Sequence, residues 1–372
     1  MASHSESVAL LIDAKAHSEW SSYWIDSDLL TPADAWEVRL SHGAGGPLSV
    51  QCGSRVQVKV GRDTVLIGHV DQVRRRTSKD EKTLTISGRD LVGVLRDASA
   101  PVFTARQVGL AEVVANVVKP LGITKIRISR AQPHAAWDRI SIEPGDSAWD
   151  ALVRAASAEG LSPWFDPDGT LVVDVPDYRS PPVATLVLRK NGEGNNVEWF
   201  DEDMSFAERF SEVTVLGQSH GTASALGQHA IKVTVKDKTV TTYRPKVVVD
   251  YDAPNLAAAE ARARKIISDS ALAGHTLRAG VQGHRTPDGL LWKPGQRVNV
   301  VWEEHGLDAV FFLIARRLSG GRRGGTRTTL TLKDDGVWIA GNASHGSRRH
   351  RHKRSGPSLE VTDAVIDASI MR

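Results

Sequence analysis

The 372-residue chain contains a single cysteine, Cys52. It can form no intrachain disulfide, and a cysteine-built zinc site is excluded. Long apolar runs are missing too. The longest, AVFFLIA at residues 309–315, falls far short of the roughly 20 residues that carry a helix across a bilayer. No basic stretch leading into an apolar one opens the sequence, so no secretory signal is expected. These features predict a soluble protein made in a cytoplasm and not inserted in a membrane. Most of the chain also lacks any excess of charge. The net charge is +3. Residues 341–372 hold six Arg/Lys and three acids, so residues 1–340 carry 41 of each sign. A large folded nucleic-acid-binding face leaves a basic excess, so specific DNA binding is not expected. The motifs G-x-S-x-G, G-x-x-x-x-G-K-[ST], H-E-x-x-H and G-x-G-x-x-G do not occur. No catalytic residue, cofactor site or metal site is predicted.

What the sequence does hold is mostly β-strand signal. Residues 8–12, 36–40, 56–60, 66–73 and 83–87 are short runs of strand formers, and 56–60 alternates strictly, as a half-buried strand does. The charged stretch 74–82 reads as a hairpin loop. The middle changes character. Over 108–121, Val108, Ala111, Val114, Ala115 and Val118 predict the buried face of a helix. A second helix follows Asp146-Ser147, either of which suits an N-cap. It would bury Trp149, Leu152, Val153 and Ala156 and stop at Glu159-Gly160. Strands return at 185–189, 197–200, 212–216, 231–235 and 247–249. A helix over 255–271, capped by Asn255, interrupts them, and strands resume at 276–282, 297–302, 309–318 and 328–332. The expected architecture is α+β, mostly β: two similar β-barrel-like domains with an inserted small α/β domain. Its expected parts are a first barrel-like domain at 1–97, the α/β domain at 98–182, a second barrel-like domain with one helix at 183–340, and a basic, flexible tail at 341–372.

The two barrel-like domains are expected to be siblings because the sequence repeats itself. Gly53-Ser54-Arg55-Val56-Gln57-Val58 precedes Leu66-Ile67, a basic run at Arg74, Arg75 and Arg76 placed at a hairpin, Thr83-Leu84-Thr85-Ile86 and Asp90. Gly295-Gln296-Arg297-Val298-Asn299-Val300 precedes Leu313-Ile314, Arg316-Arg317, Thr329-Leu330-Thr331-Leu332 and Asp334. Two similar units per chain let three chains present a ring close to sixfold.

Weaker signals each admit a plain structural reading. Asp166-Pro167-Asp168-Gly169 lacks the third acidic position and the distal glutamate of a calcium loop, and is expected to be a hairpin turn. Glu303-Glu304-His305 is expected to be a solvated loop. The run Arg348-Arg349-His350-Arg351-His352-Lys353-Arg354 reads as a solvated extension, a peptide that docks on an acidic partner, or a DNA or phospholipid contact. The apolar residues of 359–370 fit docking. Chelation by His345, His350 and His352 carries little weight. Ten tryptophans stand beside four tyrosines. Trp199, Trp292, Trp302 and Trp338, at strand ends, serve either core packing or subunit interfaces.

Several segments together resemble one family. Gly53-Ser54-Arg55-Val56, Gly68-His69-Val70-Asp71, Gly88-Arg89-Asp90-Leu91-Val92 and Asp97-Ala98-Ser99-Ala100 occur in the order and spacing of the baseplate hub proteins of Mu-like contractile-tail bacteriophages. Residues 146–169, 208–218 and 289–295 continue the likeness. It does not extend to 17–36 or 341–372. The resemblance implies a non-enzymatic structural protein that forms a homotrimeric ring in the virion baseplate after assembly in the host cytoplasm. It implies contacts with the tail tube protein, the central spike protein and other baseplate proteins, and a channel that passes DNA without binding it specifically. It also implies an architecture similar to the base of type VI secretion spike proteins. The alternatives are a tail-associated cell-wall hydrolase, which would show a further domain with an acidic or metal-ligand cluster, and a secretion spike base, which would continue into a repetitive β-helix.

Overall fold

The computed structural model describes residues 7–12, 15–18, 20–41, 50–79, 82–101, 109–129, 142, 145–217, 231–250, 253, 255–322, 324–338 and 359–366. Strands dominate. The first seven are β1 (Val8–Ile12), β2 (Lys15–His17), β3 (Ser22–Asp28), β4 (Ala35–Ser41), β5 (Arg55–Val60), β6 (Asp63–Thr77) and β7 (Lys82–Asp90). A helical section with a small sheet follows: α1 (Val92–Asp97), α2 (Leu110–Val113), β8 (Ile126–Ile128), α3 (Ala148–Ala158), β9 (Ser162–Phe165) and β10 (Leu171–Asp174). Next come β11 (Thr185–Leu188), β12 (Trp199–Met204), β13 (Glu212–Gly217), β14 (Ile231–Asp237), β15 (Pro245–Asp250) and α4 (Leu256–Gly274). The last elements are β16 (His275–Gln282), β17 (Arg297–Trp302), β18 (Leu307–Gly321), β19 (Gly325–Asp334) and β20 (Leu359–Ile366).

Thirteen strands join in one sheet, and its pairings contain the same path twice. One run is β3-β4-β7-β6-β5-β1 and the other β12-β16-β19-β18-β17-β11. In each, a six-residue strand (β5 or β17) pairs antiparallel with the first half of a 15-residue strand (β6 or β18). Each long strand then slips register against its other neighbour at a bulge, between Val70 and Gln72 in β6 and between Leu313 and Ala315 in β18. A bulge at a matching place is a specific feature, because it re-aims every later side chain. The runs differ at the end, where β1 is antiparallel to β5 and β11 is parallel to β17.

The ladders also correct the sequence alignment. Gly68 pairs with Asp90 and Phe311 with Asp334, so Val70 matches Leu313, and Ile86 matches Leu330. The repeat is therefore displaced by two residues from the Thr-Leu-Thr match. A displacement of two preserves which face each side chain takes. The basic residues are displaced from their expected place as well. Arg74, Arg75 and Arg76 pair with Thr85, Leu84 and Thr83 inside a ladder, and Arg316 and Arg317 lie in mid-strand.

Between the two runs, α1, α2 and α3 pack on the β8-β10-β9 sheet around Leu110, Val113, Val117, Leu152 and Leu171. Ser147 is the N-cap of α3, its hydroxyl accepting from Asp150 N at 3.0 Å. The buried face of the preceding helix matches the expected one only in part. Ala111 and Ala115 are exposed, and Val108 lies outside the described residues. Val114 and Val118 are buried as expected, and Leu110, Val113 and Val117 join them. They recur at the i, i+3, i+4, i+7, i+8 spacing of a helix stripe, and larger side chains gain more from burial than alanine does.

Within 183–340 the strands divide between two sheets. β13, β14 and β15 leave the large sheet and form a second one, in the order β15-β13-β14-β20. α4, capped by Asn255 accepting from Ala258 N at 2.8 Å, covers it with Ala258, Ala259, Ala263 and Ile267. Residues 339–358, including the basic run and its histidines, lie outside the described residues. In contrast to the expectation of a flexible tail, Leu359–Ile366 forms a strand antiparallel to β14, from Ile231↔Ile366 to Asp237↔Leu359. Ending the chain at residue 340 should therefore leave the large sheet intact and strip β14 of a neighbour. Hydrogen exchange should show lost protection at amides of 231–237 and none at 297–302.

Candidate functional site: the joint between the two strand runs

The two runs are connected by the pairing of β3 with the second half of β18, from Ala315↔Asp28 to Gly321↔Ser22. The local sequence suits this contact. A Cβ on Gly320 would lie 2.4 Å from the Tyr23 hydroxyl, and one on Gly321 2.4 Å from Ser21 O, so neither position accepts a side chain unchanged. Leu318, opposite Ile25, is fully buried in the core formed by β1 to β7 although it belongs to the other run. Arg317, opposite Asp26, stacks its guanidinium 4.3 Å from the Trp24 ring centroid. A polar chain crosses the same joint. The Tyr23 hydroxyl and His284 Nε2 are 2.8 Å apart, and His284 Nδ1 and Thr328 Oγ1 3.1 Å apart. Thr328 Oγ1 donates to Gly283 O at 2.6 Å. All groups are satisfied when neutral His284 carries its proton on Nδ1. Burial lowers the pKa of this histidine to about 4, with Arg316 adding to the effect.

Beneath the joint lies a cluster of ionisable groups. Asp34, Asp90 and Arg316 line a cleft of about 20 Å³ that also touches Trp164, Phe165 and Lys293. That is room for about one water molecule and far less than an organic ligand needs. Asp34 Oδ1 accepts from Asp28 N at 3.0 Å, Asp90 Oδ1 from Val92 N at 3.0 Å, and Asp26 Oδ1 from Ala35 N at 2.7 Å. Arg316 is 3 % exposed, and its Nε is a buried donor with no hydrogen-bond partner among the described residues. Burial lowers its pKa to about 10 against the opposing pull of Asp34 and Asp26. Burial pushes Asp34 up to about 6, and Asp90 is raised well above 3.8 by burial and by the nearby Asp34 carboxyl. The arrangement is that of a structural ion cluster holding elements together. Ser27 also lines the cleft, and its hydroxyl hydrogen-bonds the Asp34 carboxyl.

The residues singled out in the sequence do not converge here. Asp166-Pro167-Asp168-Gly169 is a hairpin turn: Gly169 N donates to Asp166 O at 2.9 Å, and Asp168 accepts from Thr170 N at 3.0 Å. Asp166 is already engaged by Lys293 Nζ at 2.7 Å and Arg127 Nη2 at 3.1 Å, so it ties the small α/β section to the last strand run. Glu303-Glu304-His305 forms an exposed turn between β17 and β18. Trp292, Trp302 and Trp338 are buried, consistent with core packing, whereas Trp199 on the sheet edge is 39 % exposed. No group of three His, Cys, Asp or Glu side chains suited to a metal occurs among the described residues. Sequence reasoning missed the joint itself. The signals that touched it were the repeat residues Arg316-Arg317 and Asp90.

A long sheet with a repeated strand path, and ion pairs that join its sections, defines the architecture. Comparison with known proteins gives the family. Residues 7–90 match the N-terminal domain of the Mu phage baseplate assembly protein GpP-like family, and 92–175 the second domain of the gp44-like baseplate hub proteins. Residues 209–267 and 269–337 match the third and C-terminal domains of NMB1110-like tail proteins. The crystal structure of a tail protein from Neisseria meningitidis MC58 is 40% identical, with TM-score 0.80 over 89% of this chain and 97% of that one. Baseplate hub protein gp44 of Escherichia phage Mu is 26% identical over 98% of this chain and 96% of its own length. A 43 kDa tail protein of prophage MuSo2 from Shewanella oneidensis shares the fold at 24% identity, with TM-score 0.77 over 90% and 99% of the two chains. The chain belongs to the Mu-like phage baseplate hub family of tail proteins.

The buried acids give the joint a pH dependence. A carboxyl whose folded pKa is raised contributes stability fully present below its unfolded value of 3.8 and lost as pH rises through the folded value, about 6 for Asp34. Asp90→Asn keeps the acceptor for Val92 N and removes one of the two competing charges. Its unfolding free energy should fall less steeply than wild type between pH 4 and 7. At pH 7 it should be more stable than wild type. Denaturant titrations across that range measure both.

Proposed function

We infer that three copies of this chain form a non-enzymatic ring at the centre of the tail baseplate, which joins the tail tube to the central spike. The observation that carries this reading is the doubled strand path, because three chains with two similar strand runs offer six similar units. Such a ring presents a near-sixfold face to one partner and a threefold face to the other. The two runs act as barrel-like units, the first from 1–97 and the second built from strands of 183–340. The section 98–182 and the β13–β15 sheet with α4 form the outer parts. The ring works by assembly alone: its surfaces set the order in which tube, spike and other baseplate proteins join. DNA passes through its centre without sequence-specific contact. The protein acts in the virion after folding and assembling in the host cytoplasm.

Light scattering on the purified protein should give a mass about three times the 40.3 kDa chain. A monomer at every concentration, both alone and mixed with the spike protein, would overturn the ring.

A further inference from the structure

The joint inside the chain carries information about joints between chains. Among the described residues, β6 beyond His69 has β7 on one side and no strand on the other, whereas the matching half of β18 has β3 on that side. At the far end of the sheet β12 pairs, among the described residues, only with β16, whereas β3, in the matching position, has both β4 and β18. Each run thus has one half of the contact that the internal joint completes. Building on the ring reading, we propose that β6 of one copy pairs antiparallel with β12 of a second copy, repeating the β18·β3 contact.

The register follows from the ladders. The first row after each bulge is Gln72-Ser87-Glu37-Trp24 in one run and Ala315-Thr331-Arg278-Asp201 in the other. Trp24 therefore matches Asp201, and Asp26 matches Asp203. Arg74 matches Arg317, since each lies two residues beyond its row. In the chain Arg317 is opposite Asp26. Between chains the same step sets Arg74 opposite Asp203, Arg75 opposite Glu202 and Arg76 opposite Asp201. Three consecutive arginines thus meet three consecutive acids, although the sequence repeat played no part in choosing those acids. All three arginines are exposed, as are Asp201 and Asp203, while Glu202 is partly buried with its carboxylate 3.0 Å from His275 Nε2. Opposite charges on directly facing strand positions favour pairing, and like charges oppose it. The two edges are different surfaces of one chain, so the contact is head-to-tail and closes only as a ring. Three internal and three external joints complete six.

Arg74 and Asp203 test this without disturbing Glu202. R74E alone, or D203R alone, should raise the concentration at which half the chains are assembled by about tenfold or more, and the chain carrying both should return to near wild type. Melting curves identify any variant that does not fold. Independently, R74C with D203C in a C52S background should yield, on oxidation, covalent species of two and three chains on a non-reducing gel, because opposed strand positions are within disulfide reach. A wild-type trimer that tolerates both reversals and gives no cross-link would overturn this interface and leave the ring reading standing. A monomeric wild type would overturn both.

Discussion

Backbone pairing between β3 and the distal half of β18 is the constraint on which the rest of the sheet depends. β18 is 15 residues long because it serves two units: one edge takes β17 along its first half and β3 along its second, while β19 lines the other edge from Phe311 to Gly321. Every buried backbone N–H and C=O must find a partner, so the two runs cannot separate without stranding a row of such groups. The bulge between Leu313 and Ala315 sits at the transition. It lets one continuous strand leave the core of its own run and deliver Leu318 into the other. Gly320 and Gly321 then allow the approach of Tyr23 and Ser21, which any side chain would block.

The charges beneath the joint follow from that packing. Placing Arg316 where β18 changes units buries a guanidinium, which is costly unless it is paired. Asp34 and Asp26 offset the cost, and their own carboxyls sit on backbone amides of Asp28 and Ala35. Asp90 stands at the end of β7, where its carboxylate also serves the start of α1 through Val92 N. One cluster thereby couples three sections of the chain: the first strand run, the second, and the helical section entered at α1. The bond from Lys293 to Asp166 adds a second link between the last two.

Much of this was legible in the sequence, and the failures have physical causes. Strand runs such as 56–60 and 297–302 alternate cleanly because one face is buried, so their type and place were readable. The bulges were not, since one extra residue leaves no compositional trace. The repeat was set two residues off by the chance likeness of the two Thr-Leu-Thr stretches, and the strand β6 was ended before the arginines it carries. The joint strand β3 lies within 17–36, where no family motif was legible in the sequence although the matched family domain spans 7–90, and its sequence Ser-Tyr-Trp-Ile-Asp-Ser-Asp shows no clear alternation. Its partner is set by residues nearly 300 positions away, which no local pattern encodes. The end of the chain failed for a similar reason. The apolar residues of 359–370 suggested a surface to grip, and the backbone of Leu359–Ile366 pairs with the chain's own β14.

The internal joint and the unpaired edges differ in a way that follows from when each must form. Leu318 and Ile25 meet as the chain folds, so an apolar pair there is never exposed to other molecules for long. A free edge strand persists in solution and invites indiscriminate pairing, a hazard that charged side chains suppress. Arg74, Arg75 and Arg76 along one edge repel copies of that edge, and Asp201, Glu202 and Asp203 do the same along the other. Identical edges are thus kept apart, while unlike edges remain compatible. Charge at these positions serves selectivity, whereas the buried Leu318–Ile25 contact serves cohesion, so one strand geometry can act as a fold element within the chain and as a guarded surface outside it.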